Sequence, residues 1–406
     1  MASPDQLARL RFFPPTPFYR AKGVAPAAVQ TAADFRRLSF TTKAELVADQ
    51  AAHPPYGTNF QGENIATCCR VHQTSGTSTG KPLKWLDSIT SWGWVSRCWE
   101  TGFTDDIGLA GDDRVFLPFS FGPFLGFWAA FEALSRLGAW VIPGGGMPTA
   151  ARLRYLLENA ATMVCCTPTY ALHMAEVAAA EGLDLAGSPV RAVVVAGEPG
   201  GSIPATRSLI ETAWGARVFD HYGLTEVGPV AFEREDTPGR LRVLTDEFIV
   251  ECLEPGSDRQ VPAGEVGELV VTNLGRDWSP LIRYRTGDLV KLTETAAGTY
   301  LEGGVLGRAD DMIHVRGNNV YPAAVEAILR RFPDVAEFRI VIDTARPLAD
   351  LRLDVEPTPT ADPARLCEMV ADAIQNELLF RAAVTAVPPG TLPRFEMKAK
   401  RVVKIK

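Results

Sequence analysis

Histidine is scarce in this chain of 406 residues: His53, His72, His173, His221 and His314 are the whole set, too scattered to suggest a metal cluster. Cysteines are few and odd in number, seven in all. Two pairs, Cys68-Cys69 and Cys165-Cys166, are adjacent, a spacing that suits neither a disulfide framework nor a zinc knuckle, so a reducing cytoplasm is the expected compartment. The first twenty residues lack the apolar core of a signal peptide, because Arg9 arrives early and Pro14-Pro15 follows. Long hydrophobic runs are missing too. The longest uncharged stretch, Val115 to Phe131, has 17 residues, and Pro118, Gly122, Pro123 and Gly126 interrupt it. That is the lower limit for a membrane span, and a buried strand leading into a helix accounts for it better. Excess positive charge is absent as well. A net charge of −7 argues against a nucleic acid or an anionic membrane engaged through overall charge. The basic tail Arg394, Lys398, Lys400, Arg401, Lys404 and Lys406 is a local exception, read as a solvated surface for every residue except Lys398.

What is present is an ordinary globular balance, 46% hydrophobic and 22% charged, long enough for two domains. Residues 1 to about 60 read as a helical, proline-punctuated lead-in. From there short apolar runs alternate with amphipathic helices, the rhythm of a mainly parallel sheet. Strands are predicted at 138–143, 163–167 and 190–196, a helix at 151–159, and a short strand at 216–219 with residues 220–226 following it as a rim loop. In open α/β sheets ligands gather at the carboxyl ends of such strands. From about 248 to 306 short strands with turn signals predict a small β-rich subdomain. Beyond Gly307-Arg308 a separate α+β unit is expected: Pro322 opens a helix, strands follow at 338–342 and 351–355, and 362–380 carries an apolar stripe.

The most specific local pattern is Thr74-Ser75-Gly76-Thr77-Ser78-Thr79-Gly80-Lys81-Pro82. Glycines let backbone N–H groups turn toward an anion, hydroxyls add donors, and Lys81 adds charge, so the loop is suited to phosphate. It is not a Walker loop, which needs four residues between its glycines and a Ser or Thr after the lysine. Further along stand Asp220-His221-Tyr222-Gly223-Leu224-Thr225-Glu226, Arg283-Tyr284-Arg285-Thr286-Gly287-Asp288, Gly307-Arg308-Ala309-Asp310-Asp311-Met312-Ile313-His314-Val315-Arg316-Gly317 and Leu392-Pro393-Arg394-Phe395-Glu396-Met397-Lys398.

Five such motifs in this order resemble the adenylate-forming (ANL) superfamily, and its phenylacetate-CoA ligase-like branch most closely. The resemblance implies an α/β fold: a large N-terminal domain, 1–307, with mainly parallel sheets and the β-rich subdomain, plus a small mobile C-terminal α+β domain, 308–406. It implies an acid-thiol ligase that turns a carboxylic acid and ATP into an acyl-adenylate and then forms a thioester with coenzyme A, releasing AMP and pyrophosphate.

Residue by residue, it implies that Ser75, Gly76, Thr77, Ser78, Thr79, Gly80 and Lys81 cradle the β and γ phosphates. Glu226 would ligate Mg²⁺, as a hard carboxylate oxygen suits that ion, and Thr225 would bond the α-phosphate. Asp220, His221, Tyr222 and Gly223 belong to the ATP site, with Tyr222 as a stacking face for adenine; Gly197, Glu198 and Pro199 would add adenine contacts. Asp288 would take the ribose hydroxyls, and Arg308 belongs to the same nucleotide set. Lys398 would bridge the carboxylate, the α-phosphate and the ribose during adenylation, and Asp310 would be the hinge about which the small domain swings. Phe121, within a crowd of aromatics, is the expected wall of the acyl pocket, making an aromatic acid the expected substrate. Relatives with a structural zinc carry a Cys/His set in the β-rich region, whereas between Phe232 and Glu302 this chain has Cys252 and no histidine, so no structural zinc is expected.

Each residue also has a plainer reading: a helix-start carboxylate for Glu226, a self-capping turn aspartate for Asp288, a core ring for Tyr222, a polar linker for Asp310. Two other functions stay open. The acyl group could pass to an amine, a carrier protein or a hydroxyl, or the chain could be a non-catalytic ligand-binding relative, although Lys81, Glu226, Asp288 and Lys398 are all present. A homodimer is left open as well.

Overall fold

The structure is a computed structural model and describes residues 2–61, 65–76, 81–315, 318–343, 350–395 and 399–405. Short capped helices form the lead-in: α1 (Pro4–Arg11), α2 (Pro17–Ala21), α3 (Ala32–Arg37) and α4 (Lys43–Ala52). Ser3, Thr31 and Thr42 each close a reciprocal capping box at a helix start, which satisfies donors these short helices would otherwise leave bare. An antiparallel hairpin, β1 (Cys68–Gln73) and β2 (Lys84–Ser88), follows, then α5 (Ile89–Thr101).

The alternation then becomes regular: β3 (Arg114–Leu117), α6 (Leu125–Arg136), β4 (Trp140–Pro143), α7 (Thr149–Glu158), β5 (Met163–Cys166), α8 (Pro168–Ala180), β6 (Ala192–Ala196), α9 (Pro204–Trp214) and β7 (Arg217–Leu224). These strands are mutually parallel. Both faces are covered, which is why β5 and β6 read as unbroken apolar runs. With a side-chain period of two, Ala192 and Val194 join one buried cluster and Val193 and Val195 the other. The uncharged run at 115–131 lies across β3 and the start of α6, and among the described residues no helix is long and apolar enough to cross a membrane.

After β7 the direction of pairing changes. Strands β8 (Gly228–Glu233), β9 (Arg240–Val243), β10 (Phe248–Leu253), β11 (Val266–Asn273), β12 (Tyr284–Thr295) and β13 (Gly298–Arg308) are all antiparallel to their neighbours. The β-rich region does not stand apart, because its strands hydrogen-bond onward into one eleven-stranded sheet of order β10-β11-β12-β13-β9-β8-β7-β6-β5-β3-β4. Strand β7 is also longer than its sequence suggests. Asp220 still pairs with β6, and residues His221 to Leu224 pair with β8 instead of leaving the sheet, since β8 offers a partner that the local pattern of residues 216–219 does not reveal.

A short 3₁₀ turn, Ala309–Asp311, leads into the rest of the chain. There β14 (Ile313–Val315) and β15 (Asn318–Val320) form a ribbon. Helices α10 (Pro322–Leu329) and α11 (Pro363–Leu378) accompany a sheet of β16 (Val335–Asp343), β17 (Asp350–Pro357), β18 (Ala383–Ala386) and β19 (Val402–Ile405) in the order β18-β17-β16-β19. These elements share a core of their own, with Val315, Val325, Phe338, Leu353 and Val370 at its centre.

Candidate active site

The glycine- and hydroxyl-rich loop is the tip of the β1–β2 hairpin. Its neck is closed by Thr74, whose N–H donates to the Leu83 carbonyl at 2.9 Å while its Oγ1 accepts from the Leu83 N–H at 2.9 Å. Gly76 has φ +71, and a Cβ there would come within 2.9 Å of the Pro82 nitrogen, so the turn back toward Pro82 requires glycine. Lys81 is exposed at the tip. Thr77, Ser78, Thr79 and Gly80 lie outside the described residues.

The second motif occupies the boundary between the parallel and antiparallel halves of the sheet. Asp220, His221, Tyr222 and Gly223 lie on β7, and Thr225 and Glu226 form the turn into β8. Glu226 is buried, at 3% exposure. Its Oε1 accepts a 2.8 Å hydrogen bond from the Tyr284 hydroxyl, and the Lys43 ammonium stands 3.9 Å away. Arg276 reaches the same turn from behind, donating to the Thr225 carbonyl at 2.6 Å. Asp220 accepts from the Ser202 hydroxyl at 2.6 Å, and burial pushes its carboxyl up to about 6. His221 is sandwiched between Trp99 and Phe232, each ring 4.2 Å away, with Nδ1 3.0 Å from the Ala231 carbonyl. Burial holds its pKa down to about 3, so the ring is neutral at pH 7 and packs as an aromatic wall.

Asp288 sits in a strand and not in a free turn. Pairing between β11 and β12 slips between Glu268 and Val270, and the extra residues Thr286 and Gly287 bulge out so that Asp288 is re-aimed toward β7. Gly287 has φ +76, and a Cβ there would lie 2.7 Å from an Arg308 Nη2. The Tyr222 hydroxyl donates to Asp288 Oδ2 at 2.7 Å, and Arg308 Nη1 to Oδ1 at 3.0 Å. Arg308 also grips Asp310, Nε to Oδ1 at 2.8 Å and Nη2 to Oδ2 at 3.1 Å. One guanidinium thus ties the Asp288 carboxylate to the 3₁₀ turn between the lobes. Glu226 and Asp288 both push the Tyr222 and Tyr284 hydroxyls well above the usual phenol range, adding to the larger effect of burial. The two carboxylates therefore share one wall.

Gly197, Glu198 and Pro199 follow β6 directly, on the rim next to β7. Glu198 accepts from two main-chain N–H groups, Thr169 at 2.9 Å and Ala399 at 2.7 Å, and burial raises its pKa. Phe121 is half-buried among Trp128, Phe131 and Phe119, with centroids 4.7, 5.2 and 5.8 Å away; Gln73 of the hairpin donates its N–H to the Pro123 carbonyl beside it at 2.8 Å. Lys398, like Arg316 and Gly317, lies outside the described residues. Of the residues that follow it in the chain, Ala399 donates its N–H to Glu198 and Arg401 reaches Thr169 at the α8 start.

Residues 28–275 match the AMP-binding enzyme family, and residues 317–406 match the AMP-binding enzyme C-terminal domain. The chain belongs to the AMP-binding enzyme family. It is 31% identical over 423 residues to the phenylacetate-coenzyme A ligase of Aromatoleum evansii, an alignment covering 98% of this chain and 93% of that one. Among solved structures it is similar to 2-hydroxyisobutyryl-CoA ligase in the postadenylation state with 2-HIB-AMP, at 30% identity and TM-score 0.92, covering 99% of this chain and 89% of that chain. Against the same ligase in its thioesterification state, with 2-HIB-AMP and CoA, the TM-score is 0.72 at 30% identity, covering 98% and 88%. This AMP-binding enzyme therefore superposes more closely on the first of these two structures than on the second.

Four side chains of the AMP-binding enzyme's site carry no role in the sequence reading. Lys43 is visible there only as part of a helix start, and Tyr284 only as a member of its motif. Asp87 and Arg276 are 189 positions apart and fully buried, paired through Nε–Oδ1 at 2.8 Å and Nη2–Oδ2 at 2.5 Å. No local pattern links them; a lone arginine after an apolar strand is the single available signal. Among the described residues no group of three or more His, Cys, Asp or Glu could hold a metal ion. Cys252 is buried on β10 with its Sγ 3.8 Å from the Val290 carbonyl.

Proposed function

We propose that this enzyme activates a carboxylic acid with ATP to an acyl-adenylate and then transfers the acyl group to coenzyme A, releasing AMP and pyrophosphate. The observation that carries the reading is the shared wall at the strand-direction boundary, where Glu226 and Asp288 are held by Tyr284 and Tyr222 within reach of Lys43 and Arg308. Two carboxylates held there suit the two ends of a nucleotide, Asp288 for the ribose hydroxyls and Glu226 for a cation at the phosphates. The Glu226 oxygen already has an ammonium at 3.9 Å, which supports its fitness for a cation. Magnesium is commonly bound by one or two carboxylates plus substrate phosphates. When bound, it would neutralise the triphosphate charge.

In this reading the hairpin tip from Ser75 to Lys81 holds the β and γ phosphates, Thr225 meets the α-phosphate, and the rim Gly197–Pro199 lies along the base. Tyr222 supplies the wall on which the nucleoside rests, and neutral His221 lies beside it. Lys398 delivers the positive charge that stabilises the transferring group, an effect of about 10²-fold or more for one preorganised donor. Phe121, Trp128 and Phe131 favour a flat or apolar acid. Asp310 is the hinge between domains 1–307 and 308–406, and the cytoplasm is the proposed compartment. The 2-hydroxyisobutyryl-CoA ligase and phenylacetate-coenzyme A ligase relatives support the coenzyme A acceptor.

Pyrophosphate release with Mg-ATP, screened over aryl, fatty and hydroxy acids and repeated with and without coenzyme A, tests the proposal. A thioester product is expected. Pyrophosphate release that proceeds to an amide or ester and ignores coenzyme A would overturn the acceptor.

A further inference from the structure

One carboxylate spans the two lobes. Glu198 leaves the end of β6, and its Oε1 accepts from the N–H of Thr169 in the first turn of α8, at 2.9 Å. Its Oε2 accepts at 2.7 Å from the N–H of Ala399, 201 positions further along the chain. Arg401, two residues beyond, repeats the connection: Nη1 reaches Thr169 Oγ1 at 3.2 Å, while Nε and Nη2 hold Glu337 of β16 at 2.6 and 3.0 Å. Thr169 is thus met from both sides, by its own lobe's Glu198 and by the other lobe's Arg401. Arg394 adds an ion pair to Glu176 of α8 at 3.5 Å. A buried carboxylate is tolerated when hydrogen bonds satisfy it, and half of that satisfaction comes from the mobile lobe. Turning the lobe away leaves Oε2 without Ala399.

We propose that Glu198 is a positioning residue for adenylation alone: by holding the N–H of Ala399 it fixes the segment that carries Lys398 against the nucleotide, and it releases that segment for thioester formation. The inference rests on the adenylation reading above and assigns the Glu198 side chain to the lobe contact, not to adenine. The arrangement in which the contact exists superposes well on that of 2-hydroxyisobutyryl-CoA ligase in its postadenylation state.

The test is Glu198→Gln, with Glu198→Ala beside it. Glutamine keeps the length, but one of its two ends is a donor, so it accepts from Thr169 or Ala399 and sets N–H against N–H at the other. Pyrophosphate–ATP exchange reports the first half-reaction, and conversion of preformed acyl-adenylate by coenzyme A the second. The expected result is an exchange kcat lower by about tenfold or more, the loss of one charge-assisted hydrogen bond. KM for ATP should stay within about twofold, the second half-reaction should be unslowed, and the melting temperature should hold. Exchange equal to wild type, equal loss in both halves, or a raised KM for ATP at unchanged kcat would each overturn the assignment. Small-angle scattering of the ligand-free protein gives a readout free of activity: the variants should show a larger radius of gyration than wild type, and superimposable profiles would refute the contact's role. Failure of wild type to exchange pyrophosphate with any acid would instead sink the adenylation reading.

Discussion

Replacing Arg276 by alanine should cost the protein more than any exposed substitution, and the structure says why. The guanidinium is fully buried and makes two hydrogen bonds to Asp87, one to the Thr225 carbonyl and a face contact with Trp85, 5.6 Å from the ring centroid. Removing it leaves Asp87 charged at zero exposure with the Ser91 hydroxyl at 2.9 Å, and strips the Thr225 carbonyl of its donor. Breaking one side of such a pair costs about 3–5 kcal/mol, because the remaining charge is stranded. Replacing both partners by apolar groups is far milder, so Arg276→Met with Asp87→Leu should regain most of the loss. Urea unfolding followed by tryptophan fluorescence measures both, and a double-mutant cycle gives the coupling. The functional consequence is separate: Arg276→Lys keeps the charge, loses the two-pronged grip, and should lower adenylation by about tenfold or more through a loosened Thr225-Glu226 turn. A single Arg276→Ala variant within about 1 kcal/mol of wild type would refute the reasoning.

Three further outcomes are expected. Lys398→Ala should abolish acyl-adenylate formation while leaving unfolding unchanged, and near-normal pyrophosphate release would remove the lysine from the mechanism. Asp310→Pro should spare adenylation and impair thioester formation, since proline fixes the backbone and the Arg308 clamp loses its anchor; equal damage to both halves argues against a hinge. Burial depresses His221 to about 3 and His72 to about 4, so the stability they contribute is present above their unfolded value near pH 6.5 and is lost as pH falls toward those folded values. At pH 4.5 His221 alone should account for about 2–3 kcal/mol at most, and His221→Gln should flatten the acid limb of the urea midpoint; a limb unchanged by that substitution would contradict the burial argument.

What the chain disclosed in advance depended on whether the determining contacts are local. The β6 run and the helix starts at Thr42 and Pro322 are set by neighbours in sequence, and their patterns point to the elements found. The extension of β7 through His221 to Leu224 depends on β8 as a partner, and the bulge that aims Asp288 depends on β11, so both motifs read as loops until the pairing is known. The same holds for the β-rich region, whose edge beside β9 merges it with the parallel strands. At the site, short motifs bring out the residues they contain. Lys43, Asp87 and Arg276 act from outside any motif, across separations that periodicity does not register, and Glu198 is legible as a rim residue while its partner two hundred positions away is not.

The continuous eleven-stranded sheet limits how this enzyme can be recombined with its relatives. A segment from 248 to 306 cannot be exchanged as a cassette, because each graft would have to reproduce the hydrogen-bond register at β9 and the bulge facing Arg308 together. The natural splice falls after β13, where a three-residue turn and a handful of polar contacts replace a shared ladder. Chimeras cut there should keep the acid preference of the donor of the front lobe and take their timing between the two half-reactions from the donor of the rear one.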